Sequence, residues 1–358
     1  MSAIDLLNLF RQELELCKVN PNEVVAVLSG SQTRPDYVAA FVAAAQQLGA
    51  EVFHLNLPTP TRSFGKTPTT AQGALWGLTP LTGHRAGVEI LKCADLLVDL
   101  IGLLHSPEQL EIQKAGTRVL MVVEPPEILA RMFARKDSRA RVEAAGRKIA
   151  GAKKLRITND AGTDLTYLLG QYPPILQYGY TDEPGRWDHF PGAFAYTWPN
   201  EEQSEGTIVL QPGDIIYPFK DFVRSNIHIT VRQGHIVNIE GGFDADHLRH
   251  FMEAWNDPDA FAMAHIGWGL DETALWNGLS LINKESAIGQ DGRAFYGNVL
   301  WSTGPNTDVG GTRTTPAHLD IVMKGASLFL DGEPMVLAGE VIPEEQRCAG
   351  RQVARLVP

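Results

Sequence analysis

The sequence predicts an α/β domain built on a parallel sheet over residues 1–152, followed by an α+β domain, mostly β, over residues 153–342. Three features carry that reading. Short apolar runs alternate with helical periodicity through the first half of the chain. A charged helical stretch at Lys136–Ala152 then interrupts the alternation. Beyond it come short strands punctuated by glycine and proline. The closing stretch Pro343–Pro358 is polar and basic and reads as a tail.

The N-terminus reads as an amphipathic helix, with Leu6, Leu7, Phe10 and Leu14 on one side. Val24–Leu28 is a short apolar strand. Asp36–Leu48 follows as an alanine-rich helix, with Gly49 where a C-terminal cap belongs. Glu51–Leu57 is the second strand. The pattern then gives a helix at Arg85–Cys93, a strand at Asp95–Leu100, a helix at Pro107–Lys114 and a strand at Arg118–Val123. Leu28-Ser29-Gly30-Ser31-Gln32 lacks the GxGxxG spacing, so no dinucleotide is inferred from it. Lys136–Ala152 is read as a helical bridge between the domains.

In the second half, Leu155–Thr158 and Asp164–Leu168 alternate around Asn159-Asp160-Ala161-Gly162, a hairpin signature. Thr207–Leu210, Asp214–Pro218, His228–Val231 and His235–Ile239 are further short strands, and His247–Trp255 and Glu272–Leu279 look helical. Asp308-Val309-Gly310-Gly311-Thr312 reads as a plain turn.

Composition narrows the function. Thirty-one basic residues against 42 acidic ones leave a net charge of −11. That balance argues against nucleic acid or an anionic membrane surface as partner, since both attract basic patches. Cys17, Cys93 and Cys348 share no CxxC spacing, which disfavours a disulfide framework or a thiolate zinc site. No apolar segment is long enough to span a bilayer, and a soluble cytoplasmic protein is expected.

Of ten histidines, two stand in telling contexts. In Ala317-His318-Leu319-Asp320, a strand would project His318 and Asp320 side by side. In Ala264-His265-Ile266-Gly267-Trp268-Gly269, glycines let backbone approach a site closely. Two imidazoles and a carboxylate can occupy one face of an octahedral Fe(II) and leave positions for substrate and oxygen. A bare His-x-Asp describes a hydrogen-bonded pair equally well.

Four unusual strings carry a resemblance that covers nearly the whole chain. They are Leu103-Leu104-His105-Ser106-Pro107, Gly185-Arg186-Trp187-Asp188-His189-Phe190-Pro191-Gly192, His265-Ile266-Gly267-Trp268-Gly269-Leu270 and Pro316-Ala317-His318-Leu319-Asp320. The sequence resembles the 2,5-dihydroxypyridine 5,6-dioxygenase family of aerobic nicotinic acid breakdown. The resemblance implies Fe(II) held by His265, His318 and Asp320, with 2,5-dihydroxypyridine and O2 as small-molecule partners and N-formylmaleamate as product. A homo-oligomer is expected.

The implied chemistry needs a base to make the ring electron-rich. That role falls to His189, read as lying on a polar, glycine-flanked loop, while His105, on a loop at a strand's carboxyl end, is assigned substrate hydrogen bonding. Arg293, Tyr296, Trp301 and Ser302 are candidates for a wall against a flat heteroaromatic substrate. A more distant resemblance links Gly162-Thr163-Asp164-Leu165, Pro199-Asn200-Glu201-Glu202, Gly206-Thr207-Ile208 and His318-x-Asp320 to the two-metal thermophilic aminopeptidases. It implies an alternative zinc or cobalt hydrolase with Glu201 or Glu202 as a ligand, although His265 stands where those enzymes carry a glutamate.

Overall fold

The computed structural model of the chain describes residues 4–58, 79–104, 106–217 and 219–348. It divides into two compact units. One is Met1–Ala134, Tyr178–Gly192 and Glu285–Ile288; the other is Arg135–Gln177, Ala193–Lys284 and Gly289–Pro358. The division therefore falls before the charged helix rather than after it, and two later segments return to the first unit.

The first unit contains α1 (Leu6–Leu16), β1 (Val24–Gly30), α2 (Pro35–Gln47), β2 (Glu51–Leu57), α3 (Arg85–Leu91), β3 (Leu96–Asp99), α4 (Pro107–Lys114), β4 (Arg118–Met121) and α5 (Pro126–Arg131). A later strand, β8 (Trp187–His189), joins them in a parallel sheet of order β2-β1-β3-β4-β8. The continuous apolar run of β1 follows from burial on both faces. Val25 and Val27 pack with Phe10, Leu14 and Phe41 of α1 and α2. Ala26 and Leu28 pack instead with Leu91 of α3 and Ile112 of α4. Local signals set the helix ends: Gly49 follows α2 with a φ of +84°, and the Ser106 hydroxyl caps α4 by accepting from Gln109 N at 3.1 Å. His189 ends β8 beside Met121 of β4, so the loop expected there is a strand. Its three residues were too few to show a period.

At the end of β3 the buried Asp99 carboxylate accepts three backbone N–H groups, from Ile101 (2.9 Å), Gly102 (3.0 Å) and Leu103 (2.7 Å). It thereby shapes the loop at the carboxyl edge of the sheet.

The second unit opens with α6 (Ser138–Gly151), which packs against the strands of its own unit and is no free bridge. Arg141 of this helix donates to the Leu270 carbonyl and to Glu272 Oε2, each at 2.7 Å. One antiparallel sheet comprises β5 (Lys154–Thr158), β6 (Asp164–Leu168), β10 (Ser204–Leu210), β13 (Ile227–Arg232), β14 (His235–Gly241), β18 (Ser327–Leu330), β19 (Glu333–Leu337) and β20 (Glu340–Val341). Its β5–β6 hairpin turns where the sequence predicts, with Asn159 Oδ1 accepting Thr163 N at 2.9 Å. The other antiparallel sheet has the order β12-β11-β17-β16-β15-β9-β7. Its strands are β7 (Ile175–Gln177), β9 (Phe194–Thr197), β11 (Ile215–Tyr217), β12 (Asp221–Phe222), β15 (Met263–Gly269), β16 (Val299–Thr303) and β17 (Leu319–Met323). Helices α7 (Phe243–Glu253) and α8 (Gln290–Arg293) complete the unit. The expected mixed class, a parallel-sheet α/β region followed by an antiparallel, mostly β region, is the class observed.

Two expectations fail locally. Glu272–Leu279 forms turns ending in a short 3-10 turn at Gly278–Ser280 instead of a helix. There Asp271 accepts Thr273 N (2.8 Å) and Asp291 accepts Leu275 N (2.6 Å), so side chains take backbone donors that a helix would use. The stretch expected to be a tail begins inside the fold. Gln346 is fully buried, and its Oε1 accepts from Trp268 Nε1 at 3.0 Å. Residues 349–358 lie outside the described part. No helix among the described residues is long and apolar enough to cross a membrane.

Removing the Asp99 carboxylate strands three backbone donors, two of them buried, so Asp99→Ala is expected to cost about 1–3 kcal/mol of unfolding free energy in urea titrations. Burial pushes the Asp99 carboxyl up to about 6, against the lowering effect of its three N–H partners. A folded-state value above the unfolded one stabilises the fold at low pH, and that contribution is lost as pH rises through about 6. The gap between wild type and Asp99→Ala should therefore be wider at pH about 5 than at pH about 7; a constant gap would refute the assignment.

Candidate metal centre

The site is built on one face of the second antiparallel sheet. Residues paired across neighbouring strands share a face, as do residues two apart along a strand. Asp320 of β17 lies opposite Ser302 of β16 and opposite Tyr217 of β11. His318 stands two residues before Asp320, just ahead of β17. On β15, Gly267 pairs with Leu300 of β16 on one side and Tyr196 of β9 on the other. His265, two residues earlier at an irregularity in the β15–β16 ladder, shares that face.

His265 Nε2 and His318 Nε2 each lie 3.0 Å from Asp320 Oδ1. The three ligand atoms lie within 4.8 Å of one another, and all three residues are buried. Neither Glu201 nor Glu202 belongs to this group. The other carboxylate oxygen is taken: Arg293 Nε (2.8 Å) and Nη2 (2.7 Å) both donate to Asp320 Oδ2. Burial alone would raise the Asp320 carboxyl, but His318, Arg293 and His265 outweigh it and hold the group well below the usual carboxylate range.

This donor set fits a divalent cation. Imidazole lone pairs and a carboxylate oxygen packed this closely repel unless protons or a cation lie among them. Among the described residues, the buried Asp320 Oδ1 accepts no hydrogen bond. Two nitrogens and one oxygen without a thiolate suit a borderline metal with open positions.

The remaining sequence candidates fall in several places. Ser302 reaches this face, where its hydroxyl donates to the His265 carbonyl at 3.3 Å and braces the ligand strand. Trp301 points to the opposite face and is fully buried, so it cannot form one wall with Ser302; adjacent residues of a strand project to opposite sides. Tyr296 is buried, bridged to Gly269, the last residue of β15. Arg293 engages Asp320 rather than standing open as a wall. His189 is buried at the carboxyl end of β8 in the first unit, where its backbone N–H donates to Asp188 Oδ1 at 2.8 Å. His105 lies outside the described residues.

Sequence reasoning missed three residues. The Tyr196 and Trp198 rings flank His265 at centroid distances of 5.0 and 5.5 Å. Their signal was present in Phe194-x-Tyr196-x-Trp198, an aromatic alternation at the strand period. Tyr217 lies under the Arg293 guanidinium, with Cζ 4.1 Å from the ring centroid. Nothing local in the sequence announces that pairing. Glu201, a ligand in the hydrolase alternative, is bound elsewhere: it accepts from Tyr172 Oη at 2.6 Å and from Asn306 Nδ2 at 2.7 Å.

Comparison with known proteins agrees with this architecture. A family model described as 2,5-dihydroxypyridine 5,6-dioxygenase matches residues 5–343. A Pseudomonas putida KT2440 protein of that name is 47% identical over 351 residues, which is 97% of this chain and 99% of the relative. A solved structure of 2,5-dihydroxypyridine dioxygenase from the same strain superposes with a TM-score of 0.93 at 46% identity, covering 97% of this chain and all of that one. Wild-type AmpT from Thermus thermophilus shares the fold, with a TM-score of 0.60 at 14% identity over 94% of this chain and 99% of its own.

The close packing of β15 on β9 is open to test through Gly267. A Cβ there would run into the Ala195 carbonyl oxygen and the Tyr196 side chain. Gly267→Ala should destabilise the protein by about 1–3 kcal/mol in denaturant titrations, and unaltered stability would show that the two strands pack less closely than described.

Proposed function

The chain belongs to the 2,5-dihydroxypyridine 5,6-dioxygenase family, and from that premise we propose that it opens the ring of 2,5-dihydroxypyridine between C5 and C6, inserting both atoms of O2 to give N-formylmaleamate. In this reading His265, His318 and Asp320 hold one Fe(II) per chain. The observation that carries it is the convergence of both imidazole Nε2 atoms on the Asp320 oxygen that Arg293 leaves open. A ferrous ion bound there would supply a template for dioxygen and a route for electrons from the ring.

The protein's own groups do the rest. The substrate's two hydroxyls are not adjacent, so it cannot chelate as a catechol does, and side chains must orient the ring. Arg293 offsets the Asp320 charge, so the two ligand imidazoles and this ion pair together add no net negative charge. With a divalent ion bound, the centre would carry a net positive charge, which favours an anionic, deprotonated ring over a neutral one. His189 is the proposed acceptor of the hydroxyl proton, supported by its position at the carboxyl end of a parallel sheet, where open α/β folds gather functional groups. The likeness to AmpT concerns architecture alone, and the engagement of Glu201 by Tyr172 and Asn306 disfavours a second metal there.

Anaerobic reconstitution with Fe(II), followed by 2,5-dihydroxypyridine and air, should bleach the ring absorbance with stoichiometric oxygen uptake. Two zinc or cobalt ions per chain, with no oxygen uptake, would overturn the proposal. His318→Ala should lose iron and turnover while keeping cooperative unfolding; a variant with full turnover would exclude His318 as a ligand. His189→Ala should keep its iron while the rate falls by about 10²–10⁴; if iron is lost instead, His189 is a ligand and not the base.

A further inference from the structure

We propose that Arg293 is a positioning residue that confines Asp320 to one metal-facing oxygen, with Tyr217 as the shelf that holds the guanidinium in place. This inference rests on the metal-centre reading above and goes beyond it in assigning how the carboxylate binds.

Both Arg293 donors land on the same oxygen, Asp320 Oδ2, at 2.8 and 2.7 Å. Arg–carboxylate pairs are frequently bidentate across both oxygens. Here the fork is gathered on one, and Oδ1 alone faces His265 and His318. An ion held by this trio therefore receives one oxygen from Asp320 and keeps a coordination position that a chelating carboxylate would fill. Substrate and oxygen together need such positions.

The guanidinium rests on an aromatic ring, and both that ring and the Arg293 backbone are anchored in turn. Tyr217 lies beneath it, and the Tyr217 hydroxyl donates to the Gly289 carbonyl at 3.0 Å. Gly289 has a φ of +100°, and a Cβ there would strike the Tyr217 ring. The Arg293 carbonyl accepts from Asn298 Nδ2 at 3.0 Å, and Asn298 Oδ1 accepts from Gly269 N at 2.6 Å. The arm carrying the guanidinium is thus tied to β15, the strand that bears His265. Tyr217 pairs with Asp320 across β11 and β17, so shelf and carboxylate belong to one rigid ladder. Partners of metal ligands act in this way, by fixing ligand orientation.

The test uses the full chain, stripped of metal and titrated anaerobically with Co(II), whose visible absorption reports coordination number without turnover. Wild type should bind one Co(II) per chain. Arg293→Met should shift the visible bands and lower their intensity, because Asp320 is freed to chelate through both oxygens. Arg293→Lys should return the wild-type spectrum, since a single ammonium suffices when both donors serve one oxygen. Should Arg293→Met fail to fold, Arg293→Ala with added methylguanidinium makes the same comparison, and the spectrum should revert as the ion is added. A wild-type spectrum for Arg293→Met at full occupancy overturns the inference and leaves the metal centre standing, as does an Arg293→Lys spectrum matching Arg293→Met. Failure of wild type to bind Co(II) would instead overturn the metal centre itself.

Discussion

The site depends on one carboxylate whose two oxygens serve different partners. Asp320 gives Oδ2 to Arg293 and turns Oδ1 toward two imidazoles, all within a buried sheet face. A charge in that setting is costly unless paired, and removing one partner of such a pair costs about 3–5 kcal/mol. The Arg293–Asp320 pair is therefore poor evidence of stability gained. Its value is directional: a guanidinium fixed over Tyr217 decides which oxygen remains available.

That arrangement places demands on the surrounding strands. Tyr217, Asp320, Ser302, His265 and Tyr196 come from five successive strands, β11-β17-β16-β15-β9, and share one face only in a single register. A slip of one residue in any ladder would turn its contribution to the opposite face. Gly267 sits at a close approach between β15 and β9, where any side chain would push apart the strands carrying His265 and Tyr196. Sheet packing and ligand placement are the same constraint seen at two scales.

The parts legible in the sequence are those governed by local periodicity. The alternation through Arg118–Val123 gave nearly every element of the parallel sheet, because caps such as Ser106 and Gly49 are written in neighbouring residues. The β5–β6 hairpin was equally clear, since its inward Leu155, Ile157, Leu165 and Tyr167 alternate with exposed positions. β15, β16 and β17 are buried on both faces, show no alternation and read only as apolar runs. Spacing singled out His318 and Asp320, and a glycine-rich setting singled out His265, but neither pattern alone separates a ligand from a hydrogen-bonded histidine; the family resemblance is what grouped the three residues that the sheet brings together. The role of Arg293 was not recoverable, because its partner lies 27 residues away and its shelf comes from a different strand. Trp301 and Ser302 were grouped because they are neighbours in sequence, whereas the strand turns them to opposite faces.

The likeness to AmpT shows how little the fold alone decides. Two chains 14% identical can share an architecture, and the chemistry then follows from which side chains the sheet presents. Of the two carboxylates that the hydrolase reading offered, Glu201 and Glu202, Glu201 is held by hydrogen bonds to Tyr172 and Asn306; Tyr172, first among these, lowers its pKa despite the opposing effect of burial. Asn306 also accepts from Arg313 N at 2.8 Å through its other side-chain atom, so the amide joins Glu201 to the segment that runs into His318. In this chain the acidic residue works as an anchor for the approach to a ligand strand. Among the described residues the sheet brings one carboxylate to the two imidazoles, paired with one arginine, and Glu201 is engaged away from them.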